Sequence, residues 1–233
     1  MEIDPAISAV AALDDVLRRG MYMHIRRARR PVTRDEAAAA VGISRKLAAF
    51  HLDKLVDAGL LRARYEAVGG IRKVGRTPKV YEPAETDIRV TIPERRHEVL
   101  AGILTDAVLG EGGSDNARQA AIKVAGRRGE ELGAAERAQA RPGRLGAERA
   151  LTLLEGVLAR HGFEPTRESP TCVRLSNCPF HPLAARAPEL VCGINHAFLS
   201  GMLAGLEADG VVRAVLAPRS GQCCVELRSS REG

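Results

Sequence analysis

The chain has 233 residues, enough for two modest domains, with 3% aromatic residues and no tryptophan. So few aromatic side chains argue against a surface that stacks the bases of single-stranded RNA. The net charge is +6, and residues 1–96 hold the whole excess: 19 Lys or Arg against 13 Asp or Glu, while residues 97–233 hold 16 of each. A basic half joined to a neutral half indicates a binder of polyanions coupled to a second function.

The sequence shows no signal for membrane insertion or for secretion, and this bears on the cellular compartment. No apolar run approaches the ~20 residues of a membrane-spanning helix, and the residues from Met1 to Pro5 lack the pattern of a signal peptide. We therefore expect a cytoplasmic protein with no membrane association. Its five cysteines all lie between positions 172 and 224. In a reducing compartment they are metal ligands, redox groups or buried thiols rather than disulfides.

Residues 6–25 have apolar side chains at helical spacing and predict one opening helix. Its end is basic, because seven arginines and no acid lie between Arg18 and Arg34.

Residues 31–83 predict a winged helix-turn-helix, a module that places a short helix in the major groove of DNA. The sequence Thr33 to Glu36 has the pattern of a capping box, which starts a first helix. Gly42 permits a tight turn, Ser44 caps a second helix, and Gly59 ends it.

A basic hairpin is predicted after the second helix. Residues 60–65 and 80–82 read as strands, and the cation-rich tip between them reads as the wing. Side chains at the start of the second helix enter the groove, where Arg and Lys donate to guanine, while cations on a wing contact phosphate. The residues expected to contact DNA are Ser44, Arg45, Lys46, Ala49, Arg76 and Lys79.

The predicted fold class is mixed α/β, more closely α+β, in three parts. Residues 1–90 form the winged helix-turn-helix domain. Residues 91–145 form linker helices; the apolar stripe of one, between Val99 and Val108, packs within the domain or against a second copy. Residues 146–233 form a cysteine-bearing α+β sensor domain, while residues 133–146 read as a mobile segment.

The cysteines have the spacing of metal ligands. Cys178 and His181 are three apart, so one turn supplies two ligands, and Cys192 lies at the start of an apolar helix. If residues 222–227 form a strand, Cys223 points inward and Cys224 outward. The predicted metal ligands are Cys178, His181, Cys192 and Cys223. The cofactor stays open between an iron–sulfur cluster and zinc, and a site with no cofactor, in which the thiols only pack, is a further alternative.

From Tyr22 onward the chain resembles the ArsR-like winged-helix regulators. The resemblance rests on the stretch from Ser44 to Leu55 and on Gly75 to Tyr81, which are similar to the branch containing the Suf-type repressors of iron–sulfur cluster assembly. That branch has a Cys-Pro motif and two later cysteines, matched here by Cys178-Pro179, Cys192 and the Cys223-Cys224 pair. The resemblance implies a DNA-binding repressor.

Three functions are compatible with these observations. The first is a dimeric DNA-binding regulator, a repressor in the sense of the family it resembles, that senses a metal, a cluster or redox state. The second is a DNA-binding regulator whose C-terminal domain holds an apolar small molecule and no metal. The third is a thiol-dependent enzyme, which we do not expect, because a nucleophilic cysteine needs a nearby cation or helix N-terminus to lower its pKa, and the sequence shows neither.

Overall fold

The computed structural model describes residues 5–66, 77–110 and 116–230. The chain divides into two compact units, Met1–Val90 and Thr91–Gly233. Both units mix helices with small antiparallel sheets, so the fold class is α+β. Within the described ranges, no helix has the length and apolar character to cross a membrane.

The first unit packs four helices against a three-stranded sheet of order β1-β3-β2. Its elements are α1 (Pro5–Ala12), α2 (Val16–Ala28), β1 (Val32–Thr33), α3 (Arg34–Val41), α4 (Arg45–Asp57), β2 (Leu61–Tyr65) and β3 (Lys79–Pro83). Its core includes Ile25, Leu52, Leu55 and Tyr81, none of which is exposed to solvent. The core is small and largely aliphatic, as the low aromatic content predicts.

The opening segment differs from the prediction, because it forms two helices rather than one. Helix α1 ends at Ala12, and α2 begins at Val16 after Asp15. The Asp15 carboxylate accepts the Arg18 backbone N–H at 2.8 Å, which satisfies a donor that a helix start leaves open. The Asp14-Asp15 pair therefore interrupts an apolar stripe that would otherwise continue.

Helices α3 and α4 are bounded by the residues that the sequence indicated. The Thr33 hydroxyl accepts the Glu36 N–H at 3.2 Å, and the Glu36 carboxylate accepts the Thr33 N–H at 2.7 Å, so the predicted capping box is present. Gly42 closes α3 with φ of 71°, a left-handed conformation that suits glycine. Ser44 caps α4 by accepting the Leu47 N–H at 3.3 Å. Hydrogen bonds between residues close in sequence therefore determine where α3 begins and ends and where α4 begins.

The second unit packs helices against a four-stranded antiparallel sheet of order β4-β5-β7-β6. Its elements are α5 (His97–Leu109), α6 (Ala117–Ala140), α7 (Ala147–Arg160), β4 (Pro165–Ser169), β5 (Cys172–Leu175), α8 (Leu183–Arg186), α9 (Pro188–Gly205), β6 (Val212–Leu216) and β7 (Val225–Ser229). Helices α7 and α9 contact the sheet, and the shared core includes Leu154, Val173, Leu199 and Leu227. The helices of residues 91–145 thus share a unit with the cysteine-bearing segment.

Helix α6 is longer than predicted, because residues 133–140 continue it instead of forming a mobile segment. The cause is a glycine contact with α9. A Cβ on Gly129 would lie 2.0 Å from the Phe198 carbonyl oxygen, and one on Gly133 would lie 2.2 Å from that of Met202. Gly201 on α9 approaches α6 equally closely, so the two backbones touch and hold the last turns of α6 in helical form.

Helix α5 begins at His97, four residues after Pro93. Residues 91–96 form an irregular segment, which is hydrogen-bonded to the turn at residues 177–181 that carries Cys178. The predicted apolar stripe of α5 divides in two. Leu100, Ile103 and Ala107 are buried, whereas Val108 is 63% exposed.

Candidate functional site

The start of α4 presents a polar and cationic surface. Ser44, Arg45 and Lys46 are exposed, and Ala49 is half-buried one turn later. The opposite side of the helix, with Ala48, Leu52 and Leu55, is fully buried in the core of the first unit. The four residues predicted on α4 therefore lie on its solvent side.

Two of the predicted DNA-contacting cations have acidic partners in the first unit. Arg45 pairs with Asp35 of α3 at 3.0 Å, and both side chains are more than 60% exposed. Lys79 at the base of the hairpin pairs with Asp53 of α4 at 2.9 Å, and this hydrogen bond raises the pKa of Lys79. Arg76 lies outside the described residues. A polyanion would have to compete with these two carboxylates.

Phe50 lies on the surface of α4 with 55% of its area exposed. The neighbouring His51 is buried, with its ring edge-on to Phe50. The Lys54 ammonium lies 6.0 Å from the centre of the Phe50 ring, so an exposed aromatic ring adjoins a cation on α4.

Four cysteines from three parts of the second unit converge. Cys178 lies in the turn after β5, Cys192 lies in the first turns of α9, and Cys223 and Cys224 directly precede β7. Neighbouring thiols shift one another's pKa: Cys223 acts on Cys178, Cys178 and Cys224 act on Cys223, and Cys224 acts on Cys192. Three of the four predicted ligands belong to this cysteine cluster, and Cys224 joins them.

The sequence argument admitted Cys224 as a fourth ligand only if the last strand bulged, and the structure places it beside the other thiols. That argument assumed strict strand alternation, which would turn Cys224 away from Cys223. The strand begins only at Val225, so the pair lies in irregular backbone and both side chains are buried. The adjacent cysteines were the available signal, because two neighbouring thiols outside regular structure can both face one site.

Burial and neighbouring thiols raise the pKa of Cys178, Cys192 and Cys223 above the ordinary value of a cysteine. The hydrogen bond to Cys223 and then burial raise the pKa of Cys178. For Cys223, the bond from Cys178 lowers the pKa, but the bond to Cys224 and burial together raise it to about 12. Burial also raises the pKa of Cys192. A nucleophilic cysteine needs the opposite shift, so this environment suits ligands that lose their protons when a metal binds.

Several N–H groups lie near the sulfur atoms. The backbone N–H groups of Phe180 and His181 act to lower the pKa of Cys178, and that of Val225 acts to lower the pKa of Cys223. The His181 N–H donates to the Cys178 carbonyl oxygen at 3.1 Å. The buried Asn195 side chain of α9 donates Nδ2–H to the Cys223 sulfur at 3.2 Å. Such donors favour the thiolate over the thiol, so the backbone turn after β5 is arranged for negatively charged sulfur.

A cavity of about 420 Å³ borders the cysteine cluster. Its lining includes three of the thiols, those of Cys178, Cys192 and Cys224, together with the side chains of Arg95 and His181. His181 is exposed to solvent. The cavity thus brings the predicted histidine to the same opening as the thiols.

A second group of potential ligands lies around Cys172, and sequence reasoning did not find it. One ligand atom each from Glu168, Cys172 and Glu226 lies within 4.8 Å of the others. The carboxylates are already neutralised, because the fully buried Glu226 pairs with Arg174 and Arg228. Glu168 pairs with Arg174 at 3.2 Å and with Arg219 at 2.9 Å. We interpret this group as a structural ion-pair network, because a cation would have to displace the arginines.

Comparisons of the chain with protein-family models, with curated proteins and with solved structures give no match. The functional conclusion therefore depends on the geometry of the two sites and on the sequence patterns.

Proposed function

We propose that the chain is a DNA-binding transcriptional regulator whose second unit senses a thiol-bound metal centre. In this proposal α3, the turn at Gly42 and α4 form a helix-turn-helix, and β2 and β3 form the base of its wing. The observation that carries the DNA-binding proposal is the solvent-facing start of α4, where Ser44, Arg45 and Lys46 project beside an exposed Phe50. The resemblance to ArsR-like repressors supports the same function.

Each predicted DNA-contacting residue has a role in this proposal. Arg45 and Lys46 reach base edges, where a bidentate contact to guanine contributes about 1–3 kcal/mol of discrimination. Ser44 donates its hydroxyl to a phosphate, and Ala49 meets a thymine methyl group. Lys79 leaves Asp53 to contact the backbone, and Arg76 is proposed to do the same from the wing.

The sensing proposal depends on the cysteine cluster. Cys178, Cys192, Cys223 and Cys224 would hold the group, and the N–H donors around Cys178 and Cys223 would stabilise their thiolates. A bound metal centre supplies positive charge that replaces the thiol protons and ties three segments of the chain together. His181 would be an alternative ligand at the cavity mouth.

The spacing of the thiols favours an iron–sulfur cluster over a single zinc ion. Tetrahedral zinc with bonds of about 2.3 Å brings its four sulfur atoms to about 3.8 Å from one another. Among the described residues, no three thiols of the cysteine cluster lie within 4.8 Å of one another. The group that does meet this distance is Glu168, Cys172 and Glu226. An adjoining cavity of about 420 Å³ also leaves room for more than one ion.

Self-association is part of the proposal, because two-fold operators are read by dimers. The exposed apolar residues of α5, Leu104 at 37%, Val108 at 63% and Leu109 at 81%, offer a surface for a second copy. Sedimentation of the full chain tests this: a monomer at micromolar concentration contradicts the dimer.

The test of DNA binding starts from a selection on random double-stranded oligonucleotides, followed by titration of the selected sequence. Arg45→Ala is expected to weaken binding by ten- to a hundredfold, corresponding to about 1–3 kcal/mol. Arg127→Ala is the matched control, because that side chain is 64% exposed on α6 in the second unit. Equal affinity of the Arg45→Ala protein and wild type, or no selectable sequence, contradicts the assignment of α4.

The test of the metal centre uses protein purified without oxygen and supplied with Fe²⁺ and sulfide in one arm and Zn²⁺ in the other. Metal content and the visible absorption spectrum report occupancy. Cys178→Ser and Cys223→Ser are expected to lose the bound group, while Cys172→Ser, which lies beside Glu168 and Glu226 instead, is expected to retain it. If the wild-type protein stays colourless and free of metal in both arms, the sensing proposal fails and the apolar-pocket alternative gains support.

A further inference from the structure

The segment that opens the second unit lies directly against the cysteine-bearing turn. This coupling segment, Pro93–His97, begins three residues after Val90, the last residue of the first unit. The turn that it contacts is Asn177–His181, which carries Cys178. Both belong to the second unit, so their contacts are internal to one compact body.

Hydrogen bonds join the coupling segment to the turn along its whole length. The Arg95 guanidinium donates to the Cys178 carbonyl oxygen at 2.9 Å and also to the Asn177 side-chain oxygen. The Arg96 backbone N–H donates to the Pro179 carbonyl at 2.9 Å. The His97 ring donates Nε2–H to the His181 carbonyl at 3.0 Å.

The Asn177 side chain adds further hydrogen bonds between the turn and the coupling segment. Its side-chain Nδ2 donates to the Glu94 carbonyl at 3.0 Å and to the Gly162 carbonyl at 2.7 Å. The side chain is buried, so loss of these bonds would leave polar groups without water. Pro93 and Arg95 also line the cavity beside the thiols, so the coupling segment is part of the wall of the metal site.

We propose that Arg95 and Asn177 carry the state of the cysteine cluster to the chain segment that continues into the first unit. This inference rests on the proposed function and assigns its regulatory contact. When a metal centre binds Cys178, it restrains the turn, and the hydrogen bonds then restrain residues 93–97. When the centre is lost, the turn and the coupling segment loosen together.

The energetic requirement is modest. An effector changes affinity at a second site only when it binds two states of the protein unequally, and couplings of 1–3 kcal/mol correspond to about 5- to 150-fold in affinity. Several hydrogen bonds, one of them from a guanidinium, are sufficient for a coupling of that size. Arg95 is thus a positioning residue, since the thiols alone hold the metal.

The decisive variant is Arg95→Ala. Variant and wild type are compared at full occupancy, verified by metal content, since Arg95 lines the cavity while the cysteines that hold the group are unchanged. In wild type, loading the cysteines with metal is expected to change the DNA affinity by a certain factor. In the variant we expect that factor to be at least fivefold smaller, and therefore closer to 1. Arg96→Ala is the matched control: its guanidinium contacts Glu94, Glu98 and the Arg160 carbonyl, while its backbone bond to Pro179 is retained. It should keep the wild-type factor.

A measurement on the wild-type protein covers the case in which the variant does not fold. Amide hydrogen exchange of residues 94–97 should slow by at least tenfold when the cysteines are loaded with iron and sulfide or with zinc. Loaded protein whose exchange in this segment is unchanged overturns the inference, as does an Arg95→Ala protein with the wild-type factor in DNA affinity. Absence of metal uptake, or of DNA binding by wild type, instead overturns the proposed function, so the two failures are distinguishable.

Discussion

At the residue scale, the second unit buries polar chemistry that packing alone does not require. Among the described residues, the Asn195 side-chain oxygen is buried without a hydrogen-bond partner, while its Nδ2 donates to the Cys223 sulfur. An unsatisfied buried acceptor costs about 1–3 kcal/mol. A residue kept at that cost beside a thiol is consistent with a role in stabilising the thiolate.

Asn195→Leu tests that role. Stability should be unchanged or higher, because an apolar side chain of similar size removes the unsatisfied oxygen. Affinity for iron and sulfide, or for zinc, should fall by about 10- to 100-fold, the usual effect of removing a hydrogen bond to a metal ligand. Urea unfolding and metal titration report the two quantities. A variant that loses stability and keeps its metal affinity would assign Asn195 to packing instead.

Metal uptake should depend on pH, because the thiols are protonated near neutrality. The raised pKa of Cys178, and that of Cys223 at about 12, mean that binding releases protons throughout the physiological range. Affinity should therefore rise with pH, by about tenfold per unit for each proton released. Competition with a chelator between pH 6.5 and 8.5 measures the slope. A flat profile would show that the thiols are already ionised.

At the scale of elements, the close packing of α6 against α9 depends on glycine residues in both helices. The two helices run in the same direction, since Gly126 faces Gly201 and Glu130 faces Gly205. No side chain separates their backbones at these points, so the helix pair is held by close packing along several turns. The contact in turn positions the part of α9 that carries Cys192 and Asn195.

Gly129→Ala should destabilise the second unit by about 1–3 kcal/mol or more, because the new methyl group would lie only 2.0 Å from the Phe198 carbonyl oxygen. Gly156→Ala is the matched control, since Gly156 lies on the exposed side of α7 and the nearest neighbour of its new methyl group would be the Arg160 side chain at 3.6 Å. That change should stabilise by about 0.5–1 kcal/mol. Equal unfolding midpoints in urea for the two variants would rule out the close contact.

The capping box of α3 predicts an acid-sensitive first unit. Hydrogen bonds from Arg30 and then from the Thr33 N–H lower the pKa of Glu36 to about 2. A lowered folded-state pKa stabilises the fold above the unfolded value, and this is lost as the pH falls from about 4.5 towards 2. The side chain is 37% exposed, so screening limits the effect to about 1 kcal/mol. Amide exchange in α3 should accelerate over this range in wild type and less in Glu36→Gln; identical profiles would exclude Glu36.

At the scale of the whole molecule, charge and thiols are segregated into different units. The first unit holds the predicted DNA contacts, and the second holds all five cysteines. The proposed function would require a connection between the units, and the coupling segment lies where the chain leaves the first unit.

DNA binding should be strongly dependent on salt. Each phosphate contact contributes a slope of about −0.9 in log affinity against log salt concentration, so six contacts would lower affinity by on the order of 10³ between 50 and 200 mM. Arg45→Ala should lower both the affinity and the slope, whereas Arg127→Ala should change neither. Titrations by fluorescence anisotropy at four salt concentrations provide the slope. Affinity that does not vary with salt would contradict an electrostatic interface.

Sequence determined the features that arise within a few residues: the capping box at Thr33, the left-handed turn at Gly42, the Ser44 cap and the buried stripe of α4. Hydrogen bonds and side-chain periodicity at that range do not depend on distant contacts. Only the tertiary structure decided that Cys224 joins Cys178 and Cys192, that Asn195 meets Cys223, and that glycines carry α6 to Ala140. These depend on residues more than 25 positions apart, whose approach is set by how helices and strands pack and leaves no periodic signal in the chain.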